Sequence, residues 1–219
     1  MGMSRPSVER PALPECMTWE ELEALPEDIG GQIELWEGRV VWVRREPAEH
    51  QAFTFALTAA LKRCAREAMT GDPERCLRVD FETNVFFGAH GKSDFVTPDF
   101  LAYRCLDAPY RDIRAADVLL VGEVLSPSNT RTDMDEKESR YAKAGIPWYW
   151  EVTLAREKSD IAMIRAFALE ATHGRLPAGV RPLYPANYLL TGRWTPQDCE
   201  RIVTDFPFPI DIPWTELTF

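Results

Sequence analysis

Residues 118–150 read VLLVGEVLSPSNTRTDMDEKESRYAKAGIPWYW, and the order of elements in that stretch decides the fold class. Val118 to Leu125 is apolar on both faces apart from Glu123, the mark of a central strand covered on each side. Asp133 to Ala144 reads as a helix, stopped by Gly145 and by Pro147 two residues on. Trp148 to Thr153 reads as the next strand. A doubly covered strand, a helix and a second strand in succession predict an α/β domain whose mixed central sheet is flanked by helices.

Working outward, the same periodicities continue. Upstream, Ile33 to Val43 places apolar and β-branched residues around Glu37-Gly38, the composition of a tight hairpin. From Glu49 to Met69 the residues Phe53, Leu57, Ala60, Leu61, Cys64 and Ala68 recur at steps of three and four. They form the inner face of a long helix. Leu77 to Phe87 and Phe95 to Tyr103 read as strands, and Thr18 with Glu21 forms a capping box that starts a short helix over 18–25. Downstream, Ile161 to Leu169 is a further strand. The proline-punctuated last fifty residues, with Pro177, Pro182, Pro185, Pro196, Pro207, Pro209 and Pro213, predict extra short strands and turns against the sheet. Residues 1–16, with Pro6, Pro11 and Pro14, hold too little apolar content to repay ordering and read as a tail. Residues 17–219 then form one domain.

The chain of 219 residues, 45% apolar, can bury a sizeable core. Its formal charge of −10 argues against a partner as anionic as duplex DNA. Residues 1–49, however, hold eleven acids against five basic residues, so six of those ten excess charges lie there and a local basic groove remains open. Cys16, Cys64, Cys76, Cys105 and Cys199 show no C-x-x-C spacing and read as reduced thiols. With no signal-peptide core and no apolar run of membrane length, the expected location is the cytoplasm.

Two carboxylates stand out by position. Asp99 lies in FVTPDFLAY and Glu123 in VLLVGEVL, each a single acid in an apolar strand-like run. Held about 4 Å apart at an effective dielectric near 20, they would repel by roughly 4 kcal/mol, and a bound cation would reverse that balance. Oxygen donors without a His/Cys set point to Mg²⁺ or Mn²⁺, the ions of phosphodiester cleavage. Met134, Lys137, Tyr141 and Ala144 share one stripe of the following helix, so an ammonium occupies an otherwise apolar face. From there Lys137 can orient an attacking water if residues 126–130 fold the helix back. As bland alternatives, single strand acids are more often edge or turn residues or buried groups paired with arginine, and a lone lysine at the rim of a stripe more often snorkels.

The segments TPDF, GEVLSPSNTRTDMDEKESRYAKAGIPWYW, IELWEGRV and AEHQ resemble the bacterial putative restriction endonuclease family of the P-D-(D/E)-x-K nuclease superfamily, from about Met17 to Leu169. The resemblance implies a restriction-endonuclease-like core and magnesium-dependent nuclease chemistry, with Asp99 and Glu123 as metal ligands and Lys137 as the catalytic lysine. It also brings Glu34 and His50 to the site, where the alternatives are an ion pair across the hairpin and a helix-start residue. In the wider superfamily the lysine stands two residues after the glutamate. Here Leu125 stands there, and Lys137 substitutes from the helix.

The reading is therefore a metal-dependent endonuclease cutting DNA, as a homodimer that addresses both strands. A nuclease fold kept as a catalytically weak or inactive binding module is the rival, favoured by the acidity and the absent strand lysine; RNA is a further possible substrate. A positive cleft would favour the nuclease and an acidic rim the module. His90 and His173 read as surface residues, and Trp148, Tyr149 and Trp150 as core.

Overall fold

The computed structural model of the protein describes residues 11–43, 47–72, 74–88, 90–125, 131–155, 160–170 and 186–218. Turn residues 126–130, His173, Pro177, Pro182 and Pro185, and the first ten residues of the expected tail, lie outside them. In chain order the elements are α1 (Trp19–Glu23), α2 (Glu27–Gly30), β1 (Ile33–Trp36), β2 (Arg39–Trp42), α3 (Ala48–Thr70), β3 (Leu77–Phe81), β4 (Val85–Phe86), β5 (Phe95–Val96), β6 (Phe100–Arg104), β7 (Ile113–Arg114) and β8 (Val118–Leu125). Then come α4 (Arg131–Lys143), β9 (Trp148–Leu154), β10 (Ile161–Glu170), β11 (Asn187–Trp194), β12 (Arg201–Thr204) and β13 (Ile210–Pro213).

Among the described residues a six-stranded sheet runs β11-β10-β9-β8-β6-β3. Its β8 and β9 pair in parallel across the α4 crossover, and its other pairs are antiparallel. The two faces of β8 are both covered, as its unbroken apolar run requires. On one face Leu120 and Val124 meet Trp150 and Val152 of β9, Phe53, Leu57 and Leu61 of α3, and Ile210 and Ile212 of β13. On the other, Val118 and Val121 meet Tyr149, and Tyr141 and Ala142 of α4. Burying each large apolar side chain contributes roughly 1.5–3 kcal/mol, so α3 is held chiefly by its stripe.

A second, five-stranded sheet, β2-β1-β5-β4-β7, packs beyond this second face. The sequence reading missed it because its strands are short: Leu77–Phe87 breaks into β3 and β4, and Phe95–Tyr103 into β5 and β6. Residues between those pairs turn the chain from one sheet to the other, with Glu82 at φ 45°. The hairpin turn at Glu37 and Gly38 has positive φ at both residues (54° and 83°), which suits the right-handed twist of its strands. The predicted helix over 18–25 is shorter, and α2 follows it directly.

The cysteines depart from expectation. Cys76 and Cys105 form a disulfide, while Cys16, Cys64 and Cys199 are free. Leu77 pairs with Arg104 at the end of the β3–β6 ladder, so the next residue on each strand lies opposite its counterpart, with Cα atoms 5.3 Å apart. That is the span a disulfide needs. Thiol reduction thus no longer supports the expected compartment. No described helix is long and apolar enough to cross a membrane.

Candidate active site

Register brings the two acids together. Phe100 of β6 lies opposite Gly122 of β8. One step further along this antiparallel pair, Asp99 faces Glu123. Gly122 is required there, because a Cβ at that position would stand 1.9 Å from the Phe100 ring. Asp99 is not inside a strand, as expected, but in the bend just before β6. From that bend its Oδ2 accepts a 2.6 Å hydrogen bond from the backbone N–H of Val124. The same oxygen lies 3.1 Å from Nε2 of His50, near the start of α3 and 1% exposed.

Glu123 is 4% exposed and faces α4. Both of its oxygens accept from Lys137 Nζ, at 3.1 and 3.2 Å. One helical turn later the Tyr141 hydroxyl donates to Oε1 at 2.5 Å. The shared stripe of Lys137 and Tyr141 therefore places both donors over one carboxylate. Tyr141 was legible as a stripe member but not as a site residue, since phenol and aromatic core residues look alike in a sequence.

Glu34, fully buried on β1, does not pair across the hairpin. Its Oε2 accepts from Trp36 Nε1 at 2.8 Å, and its Oε1 accepts from the Thr97 N–H at 2.9 Å and lies 3.5 Å from Lys137 Nζ. Lys137 thus stands between Glu34 and Glu123, and the acids supposed to be unpaired have partners within the chain. His90 is exposed, and Tyr149 and Trp150 are buried core residues, whereas Trp148 is half-buried and stacks on Phe206.

The electrostatics follow from this crowding. Burial pushes the Glu123 carboxyl up to about 7, and the charges of Asp99 and Glu34 push the same way, while Lys137 and the Tyr141 hydroxyl pull it down. For Lys137, burial opposes the charge, but Glu123, Glu34 and Asp99 together hold its pKa above the ordinary lysine range. The ammonium is therefore firmly protonated. Three carboxylates share that one buried cation, so the cluster retains excess negative charge at neutral pH.

Hard oxygen donors and excess negative charge suit Mg²⁺ or Mn²⁺. Among the described residues no three His, Cys, Asp or Glu side chains converge as a ready-made metal cage. The fit is to an ion held by one or two carboxylates with water and phosphate completing its shell. The residues line a cavity of about 1060 Å³. Its described acidic lining comprises Glu23, Glu27, Glu34, Glu82, Asp99 and Glu123, against the single ammonium of Lys137.

Comparison with known proteins matches the chain to a family. No curated protein matches the chain. A crystal structure described as a putative nuclease belonging to DUF820, from Anabaena variabilis ATCC 29413, superposes with a TM-score of 0.56 at 16% identity, covering 92% of this chain and 97% of that one. That likeness establishes the restriction-endonuclease-like α/β fold. The family model Uma2, described as putative restriction endonuclease, matches residues 19–165, which span every residue of the cluster. The chain belongs to the Uma2 family of putative restriction endonucleases.

Proposed function

We propose that the protein is a metal-dependent nuclease that hydrolyses DNA phosphodiester bonds with an activated water and no covalent intermediate. The observation that carries this reading is the convergence of Asp99, Glu123 and Lys137, from a bend, a strand and a helix, in one cleft. Asp99 and Glu123 hold Mg²⁺ or Mn²⁺, which when bound supplies an acidified water and neutralises phosphate charge. Lys137 keeps its proton, orients the attacking water and stabilises the charge that grows on the phosphate oxygens. Glu34 and Tyr141 fix the ammonium and the carboxylate relative to each other. His50 fixes Asp99.

A second reading has one observation in its favour. The acidic described lining of the cleft suits the binding module better than a surface for duplex DNA. Cleavage of supercoiled, linear and single-stranded DNA in Mg²⁺, Mn²⁺ or chelator separates the two. The nuclease predicts metal-dependent cleavage that falls by about 10²-fold or more in Asp99→Asn. Absence of cleavage by wild type would leave the module, and equal cleavage by Asp99→Asn would remove Asp99 from the machinery.

A further inference from the structure

The candidate residues are enclosed to a degree that limits what can reach them. Glu34, His50 and Glu123 are 0%, 1% and 4% exposed, and the Asp99 and Lys137 side chains 17% and 14%. A phosphate must enter the cavity to meet them. At about 1060 Å³ that space is of the size of a small-ligand site, which suits single nucleotides better than a paired duplex. Its walls include Leu25, Val41, Trp42 and Met134, surfaces suited to a base rather than to a polyanionic backbone.

The mouth carries a second, independent feature. Gln51 and Glu82 line it and hydrogen-bond to each other at 2.5 Å. One turn after Gln51, and immediately before Glu82, stand Phe55 and Phe81. They are 64% and 40% exposed and meet edge to face, with ring centroids 6.4 Å apart. Two aromatic rings left in water beside the proposed nuclease cleft offer a π-face to any base, which supplies the stacking part of sequence-tolerant single-strand binding.

Resting on the nuclease reading for its location, we propose that the cleft takes an unpaired DNA strand, one nucleotide entering it while a neighbouring base stacks on the Phe55–Phe81 pair. The carboxylates that oppose a duplex oppose a single strand less, because fewer phosphates come near them. Attraction comes from stacking, against the repulsion of the acidic lining. One strand needs one site, so this substrate does not require the two-fold pairing expected for duplex cleavage.

The test is fluorescence anisotropy of a labelled oligonucleotide, about fifteen nucleotides long, against the same sequence as a duplex. Each is titrated with wild type, Phe55→Ala and the Phe55→Ala/Phe81→Ala double variant in Ca²⁺ and in chelator. The single strand is expected to bind at least tenfold tighter than the duplex. The variants should lose roughly tenfold for the strand, with unchanged melting temperature; Phe55→Ala, at the more exposed ring, guards against a folding defect. Equal or tighter duplex binding, no binding of either, or wild-type strand affinity in both variants overturns the proposal. So does a change in molecular mass with unchanged strand affinity, which would make the pair a contact between copies of the chain. Cleavage in Mn²⁺ is scored separately. Strand binding without cleavage sinks the nuclease reading alone, and duplex cleavage without strand preference sinks the present inference alone.

Discussion

The two faces of β8 are one residue apart in the chain and opposite in chemistry. On the α3 side Leu120, Gly122 and Val124 join an apolar layer in which Phe100 and Trp150 are fully buried. On the α4 side Glu123, next to Val121, meets an ammonium, a phenol and two further carboxylates. The apolar face is held by shape, and any residue of suitable volume serves it. The charged face is held by pairing, so each group depends on the next. Removing one member should cost more there than a comparable change across the strand.

Lys137→Met breaks the charged face most directly. It leaves Glu34 and Glu123 buried without their shared cation, and such a loss costs about 3–5 kcal/mol. Chemical denaturation in chelator should show that drop, and cleavage should fall by about 10²-fold. An unchanged denaturation midpoint would mean that Lys137 merely snorkels beside the carboxylates.

Acidity sharpens the contrast. Burial pushes the Glu123 carboxyl up from its ordinary 4.5 to about 7, so the folded state binds a proton more tightly than the unfolded one. Its contribution is fully present below pH 4.5 and is lost as pH rises toward and through 7. In the metal-free protein this group should thus make stability fall as pH rises across that window. Glu123→Gln should flatten the profile. A stability that instead rises through the same window in wild type would reverse the assignment.

The smallest effect belongs to the shape-held face. Gly122→Ala drives a methyl against the Phe100 ring. Overpacking of this kind costs about 1–3 kcal/mol. A melting scan that found this variant as stable as wild type would show that the ring can shift, and that the spacing of Asp99 from Glu123 is less firmly set than the register suggests.

What the sequence disclosed follows the same division. Periods of 3.6 and the apolar run of β8 made α3, β8, α4, β9 and β10 readable, because these elements bury continuous stripes. The five-stranded sheet was not readable, since two-residue strands such as β4, β5 and β7 have no period to detect. Asp99, Glu123 and Lys137 stood out as candidates because an acid in an apolar run and a lysine on an apolar stripe break a pattern, and the structure brings the three together. Their internal partners were not, because the Val124 N–H, the Thr97 N–H and the Tyr141 hydroxyl become donors to them only when register and helix docking are known. The Cys76–Cys105 bond was hidden for the same reason: it is a property of the β3–β6 ladder, not of cysteine spacing.

Placing the lysine on α4 instead of on the strand makes the site a matter of angular phase. Each residue of a helix turns the next by about 100°. The C-terminal part of α4 is fixed by Tyr141 and Ala142 in the core, with Ile146 just beyond. Counting back four positions from Tyr141 brings Lys137 over Glu123, and counting back three or five does not bring it to the same place. Residues 138–140 can therefore change identity at modest cost to the cluster, but a single insertion or deletion among them would rotate the ammonium away from both carboxylates while leaving every strand where it is. Across this helix, tolerance to substitution and intolerance to changes in length should go together.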